Sequence, residues 1–224
     1  EVMPDTLWIR AANVAVAVKA SQAFSGSKLI IELDSYAQLS SALAGDRFAD
    51  KQLVRAYAKD PDSLDALLAT AGSFEVVAYL SRALCVHLRH HVSSPPKRLV
   101  LARRNHRRAS DSLSWDADIG DFFANYPHAV PVDNVPACMS GQRPRAEPSL
   151  LESTMLRSVE NGKEGESVLD VFGCTEAYIR DHFYTKSRRC RACVDDASCR
   201  GIHINYVRAH GYATESAGLA PTPA

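Results

Sequence analysis

Cysteine stands at positions 85, 138, 174, 190, 193 and 199, so four of the six thiols fall in the last quarter of a 224-residue chain. A chain of this length can bury a real core without staples, and thiols bunched in this way read as ligands before they read as a disulfide framework. The two-residue gap in Cys190-Arg191-Ala192-Cys193 lets both sulfurs turn toward one centre, and Cys199 can close a third bond. A fourth ligand must come from elsewhere. Cys138, in the rigid Val135-Pro136-Ala137-Cys138 segment, is the first choice, and Cys174, after Phe172-Gly173, is the reserve. The expected metal set is therefore Cys138, Cys190, Cys193 and Cys199. An iron-sulfur cluster ranks first and tetrahedral zinc second, with disulfides or free thiols as the remaining reading, because spacing alone does not select the metal. His203 and His210 flank Tyr206 and could substitute for a cysteine, although packing is their simpler role. Cys85, on an apolar stretch, reads as core.

Lys plus Arg equals Asp plus Glu at 26 each, which argues against nucleic-acid binding through overall positive charge. The charge is concentrated locally instead: Lys97, Arg98, Arg103, Arg104, Arg107 and Arg108 crowd around the short β-run Leu99-Val100-Leu101. A strand edge of this kind suits an extended acidic peptide held by main-chain hydrogen bonds, with Arg98, Leu99, Val100, Leu101, Arg103 and Arg104 as the expected contacts. The plainer alternative is a solvated loop whose arginines pair with Asp111, Asp116 and Asp118. The apolar runs 11–18 and 76–86 are too short to span a bilayer, and the first residues lack the basic-then-apolar pattern of a secretory signal. No membrane association is expected, and a cytoplasmic location is the default.

With 46% hydrophobic and 23% charged residues the chain reads as globular. Residues 6–23 are ambiguous between helix and strand, Lys28 to Leu33 reads as a strand, and Asp34-Ser35 can cap a helix over 36–43. Leu53, Val54 and Tyr57 fit a helical stripe that Pro61 would stop. A second helix carries Leu64, Leu67 and Leu68 up to Gly72. A third, capped by Ser73, carries Val76, Val77, Leu80, Leu84 and Leu88. Ser93-Ser94-Pro95-Pro96 is the clearest boundary signal, Asp116 to Tyr126 reads as a helix, and the prolines of 127–148 predict extended backbone. A loop is expected at 160–166, and a helix or strand-helix pair over 168–184. The sum is α+β, mostly helical with a small sheet and an irregular cysteine module at the carboxyl end. It divides into 1–94, 95–134, a cysteine module over 135–212, and a frayed tail over 213–224.

The run Cys190-x2-Cys193-x5-Cys199-x-Gly201, continued by Tyr206 and Gly211 and preceded by Asn134-Val135-Pro136-Ala137-Cys138, resembles the auxiliary iron-sulfur (SPASM- or twitch-like) tail of radical S-adenosylmethionine proteins that mature peptides and cofactors. The C-x3-C-x2-C triplet of the radical core in that family has no counterpart here. The resemblance thus implies a relative that kept the auxiliary module without the radical chemistry. It would act as a non-catalytic accessory subunit that docks a precursor peptide through its leader, together with a catalytic subunit such as an iron-dependent peptide oxidase, in natural-product biosynthesis. Two alternatives stay open: an iron-sulfur enzyme or electron carrier in its own right, with Asp195, Asp196 and His203 as nearby groups, and a zinc-stapled interaction domain. No catalytic residue is assigned.

Overall fold

Between Thr6 and Asp133 six strands are joined by five helical connections, and each strand after the first pairs in parallel with the strand before it. The computed structural model describes residues 6–23, 28–48, 51–142, 145, 156–158, 167–169, 175, 178–179 and 182–212. The strands are β1 (Thr6–Asn13), β2 (Lys28–Ser35), β3 (Gln52–Ala58), β4 (Glu75–Tyr79), β5 (Leu99–Ala102) and β6 (Val132–Asp133), in sheet order β1-β2-β3-β4-β5-β6. The crossovers carry α1 (Val14–Gln22), α2 (Leu39–Ala44), α3 (Pro61–Ala69) and α4 (Arg82–His91), then α5 (Ala109–Trp115) with α6 (Ile119–Asn125), and α7 (Ala137–Ser140) follows β6. The expected mixture of helix and strand is present, but the sheet is not small: six parallel strands organise the fold.

Parallel crossovers are right-handed almost without exception, so consecutive units wound in one direction put their helices on one face. The main core matches this. Ile31, Leu33, Ala56, Ala58, Val76, Ala78, Leu99 and Leu101 pack there against Val14, Leu64, Leu67, Leu84, Leu88 and Phe122. The alternate strand residues Ile30, Tyr57, Val77, Tyr79, Val100 and Ala102 form a second buried cluster on the helix-free face. Strands buried on both faces lose the polar alternation of a half-exposed sheet. This explains why the region of Leu53 and the region of Val76 are strands where helices are expected.

Local signals set the boundaries. Asn13 ends β1 and caps α1 by accepting from the Val16 amide at 3.1 Å. Pro61 starts α3 instead of stopping a helix before it: Asp60 is the N-cap, in a reciprocal capping box with Ser63. Ser81, not Ser73, caps α4, accepting from the Leu84 amide at 3.1 Å. Gly72 follows α3 with φ of 149°, as the sequence suggests. The large sheet continues from β4 to β5 across Ser93-Ser94-Pro95-Pro96.

The sheet curls. Strands are spaced about 4.8 Å apart, so Glu32 on β2 and a residue beyond β5 would be about 14 Å apart on a flat sheet. Arg104 nevertheless reaches Glu32 at 3.3 Å, and the rings of Trp8 on β1 and Tyr57 on β3 stack at 5.3 Å. The helix-free face is therefore the inside of an arc. Sequential βα winding of this kind is how β/α barrels are built; among the described residues β1 and β6 do not pair.

The carboxyl-terminal segment returns to the sheet. β9 (Tyr184–Thr185) pairs antiparallel with β10 (Ile202–His203), and α8 (Ile204–His210) follows directly, with Ile202 and Tyr206 in the main core. A separate antiparallel pair joins β7 (Leu156–Ser158) and β8 (Ser167–Leu169). The expected loop at 160–166, most of the element expected over 168–184, and the tail 213–224 lie outside the described residues.

Candidate functional site

The cysteines at 190, 193 and 199 all sit on one loop, residues 186–201, held at its base by the β9–β10 pair. Gly201 closes that base with φ of 87°, and a Cβ there would collide with the Thr185 carbonyl. Only glycine suits this position. Within the loop a 3-10 turn covers Arg188–Ala192, and the Cys193 amide donates to the Cys190 carbonyl at 3.0 Å. Lys186 spans the loop, donating to the Asp196 carbonyl at 2.5 Å and to its carboxylate at 2.9 Å. The hydrogen bond to Asp196 raises the Lys186 ammonium above its usual range, and the nearby Cys190 and Cys199 sulfurs add to the effect.

Two sulfurs have polar neighbours of the kind that tune a thiolate ligand. The Gly201 amide donates to Cys199 Sγ at 3.3 Å, and Ser187 Oγ lies 3.7 Å from Cys190 Sγ. The donor chemistry suits iron-sulfur or zinc ligation. Among the described residues no three Cys, His, Asp or Glu side chains stand together in metal-holding geometry. Cys138 is half-buried on α7, at the edge of the main core, and Cys174 lies outside the described residues. His203 is committed elsewhere: Nε2 donates to the Ile179 carbonyl at 2.6 Å, and Nδ1 accepts from the Asn205 amide at 3.3 Å. Its role is to cap α8. His210 stacks on Tyr206 at 4.5 Å, with Nε2 donating to the Ser112 carbonyl at 3.3 Å.

The loop is fastened to the carboxyl edge of the arc. Tyr184 Oη donates to Asn134 Oδ1 at 2.7 Å and accepts from Asn105 Nδ2 at 2.9 Å. Asn205 donates to the His106 carbonyl at 2.8 Å. Arg103 is buried there, with its guanidinium carbon 6.0 Å from the Tyr184 ring and 5.7 Å from the Tyr206 ring, and it donates to the side-chain oxygens of Asn105 and Asn134. Tyr206 Oη accepts from the Ile119 amide and donates to the Ala117 carbonyl. Carboxyl ends of parallel strands are where β/α folds place their ligands, and the cysteine loop stands at that edge.

The basic run has different work from that expected. β5 pairs with β4 on one side and β6 on the other, and Leu99, Val100 and Leu101 are buried, so no edge is open at β5 for an added peptide strand. Arg98 closes the end of α3, donating to the carbonyls of Leu67, Leu68, Thr70 and Gly72. Arg103 locks the cysteine module, and Arg104 turns onto the helix-free face toward Glu32. Asp116, expected as an arginine partner, instead accepts from His106 Nε2 at 3.0 Å and Ser112 Oγ at 2.5 Å, leaving an oriented imidazole beside the Trp115 ring. Sequence reasoning passed over His106, Glu32 and Arg10, because single residues in separate units give no local pattern.

Comparison with protein-family models, with curated proteins and with solved structures finds no match for this chain.

Proposed function

We propose that this chain is an accessory subunit in the maturation of a ribosomally made peptide, binding its precursor and a catalytic partner without carrying the oxidative chemistry itself. The observation behind this reading is that three cysteines share one loop anchored at the carboxyl edge of a curled, singly wound βα sheet. On this reading Cys190, Cys193 and Cys199, with Cys138 or Cys174, hold an iron-sulfur cluster that stiffens the loop as a docking surface. Arg188, Arg189, Arg191 and Arg200, all exposed on the same loop, favour an acidic partner segment. The peptide's place moves from β5 to this rim, because β5 has no free edge.

Anaerobic purification with iron, sulfide and zinc quantification, followed by co-purification with the peptide and oxidase encoded beside the chain, tests the proposal. A brown protein that retains both partners, and loses them on Cys193→Ser, is expected. Zinc without visible absorbance would favour a zinc-stapled interaction domain. A monomer indifferent to every neighbouring peptide would remove the maturation role.

A further inference from the structure

We infer that the helix-free face carries a binding site for a single oxyanion, a phosphate or carboxylate group, clamped between Arg10 and Arg104. The inference does not depend on whether the cysteine loop holds metal. Glu32 projects onto this face from β2 and is 2% exposed. Arg10 Nε donates to one of its oxygens at 3.0 Å, and Arg104 meets the other at 3.3 Å. One buried carboxylate thus orients two guanidinium groups drawn from β1 and from the segment after β5, which are far apart in sequence.

Each guanidinium is also fixed by aromatic rings. Arg10 lies 4.7 Å from the Trp8 ring centre, and Arg104 lies 5.6 Å from Tyr79 and 5.7 Å from Trp115. Those rings form a row, Trp8 on Tyr57 at 5.3 Å and Tyr57 on Tyr79 at 5.1 Å, with Trp115 edge-on to Tyr79. The row cannot shift without disturbing the second core cluster. Arginines held this way surrender little side-chain freedom on binding.

Both guanidinium groups keep donors in reserve. Among the described residues Arg10 uses only Nε and Arg104 only one terminal nitrogen, and their side chains remain 47% and 36% exposed. Two positive charges face one carboxylate, and the adjacent Lys59–Asp34 pair is neutral, so the site keeps one positive charge over. Fork-shaped donors with a surplus charge suit an oxygen pair better than a point ligand.

The two tryptophans of the chain, Trp8 and Trp115, both lie at this clamp, so intrinsic fluorescence of the full chain reports on it. Titration with inorganic phosphate and, separately, with N-acetylglutamate should give a saturable change for at least one, and the tighter of the two names the anion. Arg10→Lys and Arg104→Lys keep the charge on Glu32 but remove the fork, and each should weaken binding on the order of tenfold. Lys19→Gln, at an exposed position of α1 on the other side of the sheet, should bind as the parent does. The inference fails if neither probe saturates, if folded lysine variants titrate like the parent, or if Lys19→Gln weakens binding as much as they do.

Discussion

The Arg55 guanidinium on β3 meets the Asp133 carboxylate on β6 at 3.3 Å, spanning three strand positions across the inside of the arc. Arg145 grips the other side of Asp133 at 2.9 Å, and both arginines also hold Glu75. This four-residue bridge ties the middle of the sheet to its last strand. Asp133→Ala leaves two arginines facing each other in a largely buried place, and should cost about 3 kcal/mol of stability. Urea unfolding at constant slope measures it.

The same bridge sets a pH dependence. Burial pushes the Glu75 carboxyl up, but hydrogen bonds from Arg145 and Arg55 outweigh it and hold the group below its ordinary range. A depressed folded value means the unfolded chain takes up the proton first. The contribution is therefore complete above about pH 4.3 and is lost as pH falls through the folded value. Urea midpoints measured between pH 6 and pH 3 should drop at the acid end, and Arg145→Gln should flatten that drop.

Arg98 satisfies four carbonyls at and beyond the end of α3 while its guanidinium lies 5.0 Å from the Phe74 ring. Arg98→Ala should destabilise the chain by about 2 kcal/mol, since charge-assisted bonds to carbonyls at the helix end are lost. Thermal melting reads the change. Lys97→Ala, at the exposed position just before Arg98, should cost much less.

Gly201→Ala forces a Cβ into the Thr185 carbonyl and strains a backbone at positive φ. The β9–β10 pair should open while the large sheet persists. Amide exchange would show this as lost protection at Thr185 and Ile202 with β2 to β4 unchanged.

Burial pushes the Cys85 thiol up to about 12, on the inner face of α4. It should resist alkylation in the native protein at pH 8, whereas Cys190, Cys193 and Cys199, none of them buried, should react. Mass spectrometry of the labelled peptides distinguishes them, and protection of the three by added iron or zinc would support ligation.

What could be read from the sequence was what local chemistry decides. Lys28 to Leu33 is a strand because a short β-branched run has no other use, and the apolar positions of α3 and the basic end of α4 follow helical spacing. β3 and β4 were hidden because both their faces are buried: Leu53, Val54 and Tyr57 fall by chance at helical intervals, and Val54, the extra residue of β3 opposite the Leu29–Ile30 step of β2, breaks the alternation further. The cysteine spacing was plain, but its anchorage through Tyr184, Asn105 and Asn134 depends on contacts across separate units. The basic run was equally plain as a cluster and silent about its partners. Those partners are carbonyls of α3 and a glutamate of β2, distant in the chain.

Each strand of the large sheet bonds to its neighbour in sequence, so every pairing closes only the one βα connection between the two strands. The cysteine loop obeys a different order. Its supports, Arg103, Asn105 and Asn134, belong to the last two strands and the turns after them, and Tyr184 and Tyr206 cannot dock until those are in place. The part of the molecule that carries the sulfurs therefore gains these contacts only together with the last two strands of the large sheet, and its thiols are held in their native loop only once that end of the sheet is built.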